Sequence, residues 1–68
     1  MKVTRKDEDH ILLELTNVDA LRLVALIRET CFGALLHGFE TRVGSTPEEV
    51  GRIGSELNKA LEDLSVVE

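Results

Sequence analysis

The stretch from Val18 to Leu36, VDALRLVALIRETCFGALL, decides how the rest of the chain must be arranged. Advanced at roughly 100° per residue, Ala20, Leu23, Val24, Ile27, Cys31, Ala34 and Leu35 fall on one side of a helix. Val18, Leu21, Ala25, Phe32 and Leu36 fall on an adjoining side. A surface helix of a globular protein carries one apolar stripe, so two stripes call for more covering surface than the rest of a 68-residue chain readily supplies. The second stripe follows spacings of three and four, like a coiled-coil seam in which Arg28 takes one of the apolar places. Val18, Leu21, Ala25, Arg28, Phe32 and Leu36 are therefore the expected interface. The occupant is expected to be a second copy of the chain or a foreign target, with coverage by the chain's own hairpin, tail and second helix as the competing arrangement. In an antiparallel pairing of two such helices, Arg28 of one copy would meet Glu29 of the other and set the register.

On its amino-terminal side this helix is preceded by a hairpin, expected over about 2–15. Lys2 to Arg5 leads into the polar tip Lys6-Asp7-Glu8-Asp9, and in the returning strand Ile11, Leu13 and Leu15 alternate to one side. The tip lacks Asn-Gly or Asp-Gly, so a longer loop than a two-residue turn is expected. Leu12 puts an apolar group on the opposite face, to be covered by a helix or by a strand from a second copy. Thr16 is the expected helix cap with Asp19 three residues on, Asn17 being the competing cap. The end of the helix is either Gly33 or Gly38. Gly38 is favoured, with His37 in the last turn and Phe39 folding back on the cap, giving a helix over about 17–37 with Gly33 inside it at about 1 kcal/mol relative to alanine.

Glu40 to Ser45 reads as a connector that holds at most a brief extended segment. The second helix, over about 47–64, has the clearest start in the chain: Thr46 as cap, Pro47 at the first helical position and Glu49 completing a capping box. Val50, Ile53, Leu57, Leu61 and Leu64 form its apolar stripe, and Glu48, Arg52, Glu56, Lys59 and Asp63 line the wet side. Gly54 lies close to the stripe, where another helix could approach its backbone, whereas Gly51 lies to the flank without an evident role. The expected fold is α+β: a two-stranded antiparallel hairpin packed with two antiparallel helices (ββαα), in a single domain spanning 1–68.

Beside these signals, the run Leu13-Glu14-Leu15-Thr16-x-x-Asp19-Ala20-Leu21 after a charged hairpin resembles very small proteins encoded by bacteriophages, notably those of actinobacteria. The resemblance covers about the first third of the chain and is a folding signature of strand, cap and helix. It implies no catalytic residues. What it implies is a setting: a phage or prophage product acting on a host or phage protein inside the bacterium.

Composition narrows the function classes. Thirteen acidic residues against eight basic ones give a net charge of −5, which opposes binding to a phosphate backbone. Phe32 and Phe39 are the only aromatics, too few for a base-stacking platform. Lys2, Arg5 and Lys6 make a small basic patch, but Glu48 and Glu49 stand where a recognition helix would meet phosphates. A weak DNA binder, or an acidic surface imitating DNA, is the alternative to protein binding. Catalysis is not expected, because Cys31 falls on the main apolar face and His37 lies nearly opposite it. Asp7, Glu8 and Asp9 crowd a hairpin tip, and His10, His37 and Cys31 have no zinc spacing. No metal or cofactor is therefore expected. The single cysteine cannot form an intramolecular disulfide, no apolar run reaches membrane-span length, and residues 1–10 lack a signal-peptide core. A cytoplasmic, non-enzymatic, homodimeric interaction module is the expectation, with a host protein as a further partner.

Overall fold

Lys2–Arg5 (β1) and Ile11–Glu14 (β2) form an antiparallel pair, followed by helices Asn17–Cys31 (α1), Phe39–Val43 (α2) and Pro47–Asp63 (α3). This is the architecture of a computed structural model that describes residues 1–33 and 37–66. The α+β class read from the sequence holds, with three helices where two were expected.

The hairpin register pairs Lys2 with Glu14, Val3 with Leu13, Thr4 with Leu12 and Arg5 with Ile11. Its tip is organised by Asp7, whose Oδ1 accepts from the Asp9 amide at 2.9 Å and from His10 Nδ1 at 2.8 Å. The Arg5 guanidinium donates to the carbonyls of Asp7 and Glu8 at 3.0 and 3.2 Å. The longer loop predicted from the absence of an Asx-Gly pair is thus built from side-chain bonds to its own backbone.

Helix α1 starts as expected, with the Thr16 hydroxyl accepting from the Asp19 amide at 3.1 Å. Its end is not at Gly38. The helix stops at Cys31 with Phe32 as its cap, and both the Phe32 and Gly33 amides donate to Arg28 O, so the Gly33 alternative lies closer to the observed end. Gly38, at φ +68, is instead the residue before α2, a single turn that closes on Gly44 at φ +85. The connector expected at 40–45 is therefore helical through Val43, with Gly44 and Ser45 as the turn that follows. Phe39 explains the difference: it is buried, and continuing α1 for six more residues would have carried the chain about 9 Å further along the helix axis before Phe39 could turn inward.

Helix α3 runs antiparallel to α1. Leu61 packs with Ala20 and Val24, Gly54 lies under Ile27 and Gly51 under Phe32, so positions ascending α1 meet positions descending α3. The stripe predicted for α3 is correct only in part. Leu61 is buried and Leu57 packs beside it, but Ile53 and Leu64 face outward. The helix is rotated so that its glycines, rather than Ile53, meet α1. Beta carbons at Gly54 and Gly51 would stand 2.5 Å from Ile27 Cγ2 and 2.3 Å from Phe32 Cζ, which gives Gly51 the role the sequence left open.

The α1–α3 pair is the main tertiary contact, and the hairpin pairs chiefly with itself. Both strands are exposed along their whole length. Among the described residues the hairpin meets the helices chiefly at its base, where Leu15 packs against the core, instead of lying across both helices as expected.

Candidate protein-binding surface

An open apolar trough of about 510 Å³ lies where the hairpin leaves α1. Met1, Leu13 and Leu15 form one wall, Leu23 and Leu26 the other, and Asp19 and Arg22 stand at the rim, joined by an ion pair at 3.3 Å. Period-two alternation places Leu13 and Leu15 on this side of the strand, and helical spacing sets Leu26 beside Leu23 at the flank of the first apolar side of α1. Leu26 is 60% exposed. The sequence reading missed it because Leu26 lies outside the two stripes; its signal was the spacing of three from Leu23, beside Asp19 and Arg22.

The predicted second stripe of α1 is divided by the structure. Leu21 and Ala25 are half-buried and, with Arg28, line a shallow cavity of about 120 Å³ against Asn58, Glu62 and Val66. Val18 stays exposed, and Phe32 is 62% exposed although its ring tip rests on Gly51. Leu36 lies outside the described residues. The structure thus separates Leu21 and Ala25, half-buried beside α3, from the exposed Val18, Arg28 and Phe32, of which Arg28 and Phe32 both line a groove against Gly54, Ser55 and Asn58 of α3.

The opposite face of the hairpin presents Leu12 among Lys2, Thr4 and Glu14. Leu12 is 53% exposed, so the cover its sequence position called for does not come from this chain's described residues. Val3, Ile11 and Leu13 are similarly exposed. Among the described residues, the buried apolar side chains are few: Ala20, Val24, Cys31, Phe39 and Leu61.

The reactive side chains do not converge. The Cys31 thiol is buried, with Thr30 Oγ1 at 4.0 Å, and His37 is exposed. Asp7 is held below the usual carboxylate range by the His10 hydrogen bond and the Asp9 amide, a purely local effect of the tip. Among the described residues, no group of three or more His, Cys, Asp or Glu side chains is gathered where it could hold a metal ion, and no helix is long and apolar enough to cross a membrane. Comparison with protein-family models, with curated proteins and with solved structures gives no significant match.

Proposed function

We propose that this protein is a non-enzymatic protein-interaction module that works as a homodimer. The observation that carries the reading is the amount of surface left uncovered. A folded chain of 7.5 kDa is expected to expose about 4,200 Å², and this one exposes 5561 Å². The excess, roughly 1,300 Å² per chain, corresponds to about 2,600 Å² for a pair, within the range of permanent homodimers. Shape agrees with area: the radius of gyration is 13.1 Å, where about 11 Å is expected for a compact chain of this length.

Apolar side chains dominate the uncovered regions. The trough beneath the hairpin and the exposed Val3, Ile11 and Leu12 favour a protein partner over nucleic acid, as does the net charge of −5. The buried thiol and the solvated carboxylates of the hairpin tip favour a binding role over catalysis. The resemblance to small phage proteins supplies the proposed setting, a host cytoplasm in which a bacterial protein is the further partner.

Solution mass across a dilution series tests the reading. The expected result is twice the chain mass at high micromolar concentration, with dissociation on dilution. A mass of one chain at every concentration overturns it.

A further inference from the structure

Within that self-association reading, on which this inference rests, the hairpin specifies which edge the second copy takes. A two-stranded hairpin alone is marginally stable in water, and this one is exposed on both faces and has little packing against the helices. The Lys6 amide donates to His10 O at 3.1 Å, so the main-chain groups of this pair point into the hairpin. Alternation along an antiparallel ladder carries the inward orientation to Thr4 and Leu12 and to Lys2 and Glu14. The outward amides and carbonyls are then those of Val3 and Arg5 on β1 and of Ile11 and Leu13 on β2.

The two edges differ in charge. Aligned with its own copy about Thr4, β1 would set Lys2 directly opposite Lys6, and like charges in that position are destabilising. Charged edges of this kind are a common device against strand pairing. Aligned about Leu12, β2 sets Ile11 opposite Leu13, Leu12 opposite Leu12, and His10 opposite Glu14. Its centre is wholly apolar and its ends carry no like-charge pair.

We propose that two copies of this chain pair through β2 as antiparallel strands, about a twofold axis at Leu12, to form one four-stranded sheet ordered β1-β2-β2-β1. Ile11 of each copy exchanges main-chain hydrogen bonds with Leu13 of the other. The two Leu12 side chains meet in the intervening non-hydrogen-bonded pair, where Cα atoms lie about 4.5 Å apart, and each covers the other. An axis perpendicular to the sheet keeps corresponding faces together, so both troughs open on the same side and each is extended by the partner's Ile11. Only the charged β1 strands remain as edges.

Cysteine cross-linking in the full chain distinguishes this pairing from other dimers, with the buried Cys31 left in place and the parent protein as control. Leu12→Cys puts two thiols within disulfide reach across the axis, and mild oxidation is expected to convert it almost completely to a covalent dimer. Thr4→Cys, on the neighbouring strand away from the axis, is expected to stay uncross-linked under the same conditions. In parallel, Leu12→Lys is expected to weaken association by at least about tenfold, whereas Thr4→Lys leaves it unchanged. A parent that sediments as a dimer while Leu12→Cys fails to cross-link, or cross-links no faster than Thr4→Cys, overturns the β2 pairing and leaves the self-association reading standing. A parent that sediments as a single chain overturns both.

Discussion

Gly54 and Gly51 are three residues apart on α3, yet alanine is expected to have different effects at the two positions. At Gly54 the added carbon meets Ile27, whose Cγ2 and Cβ lie 2.5 and 3.1 Å away. A β-branched side chain held that close to its own backbone has little room to swing aside. Overpacking costs about 1–3 kcal/mol, more than the roughly 1 kcal/mol gained in helix propensity, so Gly54→Ala is expected to lower stability by about 1 kcal/mol. At Gly51 the obstacle is the tip of the largely exposed Phe32 ring, which can move, so the propensity gain offsets the displacement and Gly51→Ala changes stability by less than about 0.5 kcal/mol. Urea unfolding of both variants at one protein concentration checks the contrast. Ser65 offers a gain: it takes φ +60 after α3 while its amide and that of Val66 bond back to Glu62 O and Leu61 O. Ser65→Gly is expected to stabilise by about 1 kcal/mol, read as a higher urea midpoint. Gly54 was legible in the sequence because it sits beside an apolar stripe. Gly51 was not, since its neighbour depends on where Phe32 goes after α1 ends, and Ser65 carries none of the signal a glycine would give.

Among the elements, α3 was the most legible because its start is encoded locally. The Thr46 hydroxyl accepts from the Glu49 amide at 3.1 Å, and Glu49 Oε1 accepts from the Thr46 amide at 3.1 Å and from its hydroxyl at 3.0 Å. These bonds hold the Glu49 carboxyl below its ordinary value. A carboxylate with a depressed folded-state pKa contributes stability that is complete above its unfolded value and is lost as pH falls through the folded one. The parent is therefore expected to be more stable than Glu49→Gln at neutral pH, with the difference beginning to shrink near the unfolded value of about 4.3 and disappearing only below the lower folded one. Thermal unfolding of the pair across that range measures it, and a difference that persists at low pH would contradict the assignment. Removing the cap itself, Thr46→Ala, is expected to cost about 1 kcal/mol. The end of α1 was less legible, because Gly33 offers a stop while the apolar spacing continues past Cys31 toward Gly38. What ends the helix is tertiary: Phe39 is buried by way of the short α2 turn between two left-handed glycines, and no pattern within α1 refers to Phe39.

For the molecule as a whole, the sequence put the uncovered apolar surface on α1, where Val18 and Phe32 are exposed, and gave less weight to the hairpin, where Val3, Ile11, Leu12 and Leu13 are exposed as well. Helical periodicity assigns side chains to sides of α1 without saying which side α3 will take. Leu21 and Ala25 line a depression with Val66 of the tail, while Val3, Ile11, Leu12 and Leu13 of the hairpin are exposed. Alternation likewise told which residues share a face of β2 but not that the hairpin would stand away from the helix pair. That separation has a kinetic consequence. The hairpin joins partners at most twelve residues apart, from Arg5 with Ile11 to Lys2 with Glu14, and loops of this size close within microseconds. The helix pair also forms within one chain. Under the proposed β2 pairing, the last step is an encounter between two molecules, so refolding followed by hydrogen-exchange protection of the Ile11 and Leu13 amides is expected to accelerate in proportion to protein concentration. The helical signal of the same sample should recover at a rate independent of it, and the order of reaction at those two amides would then count the molecules taking part.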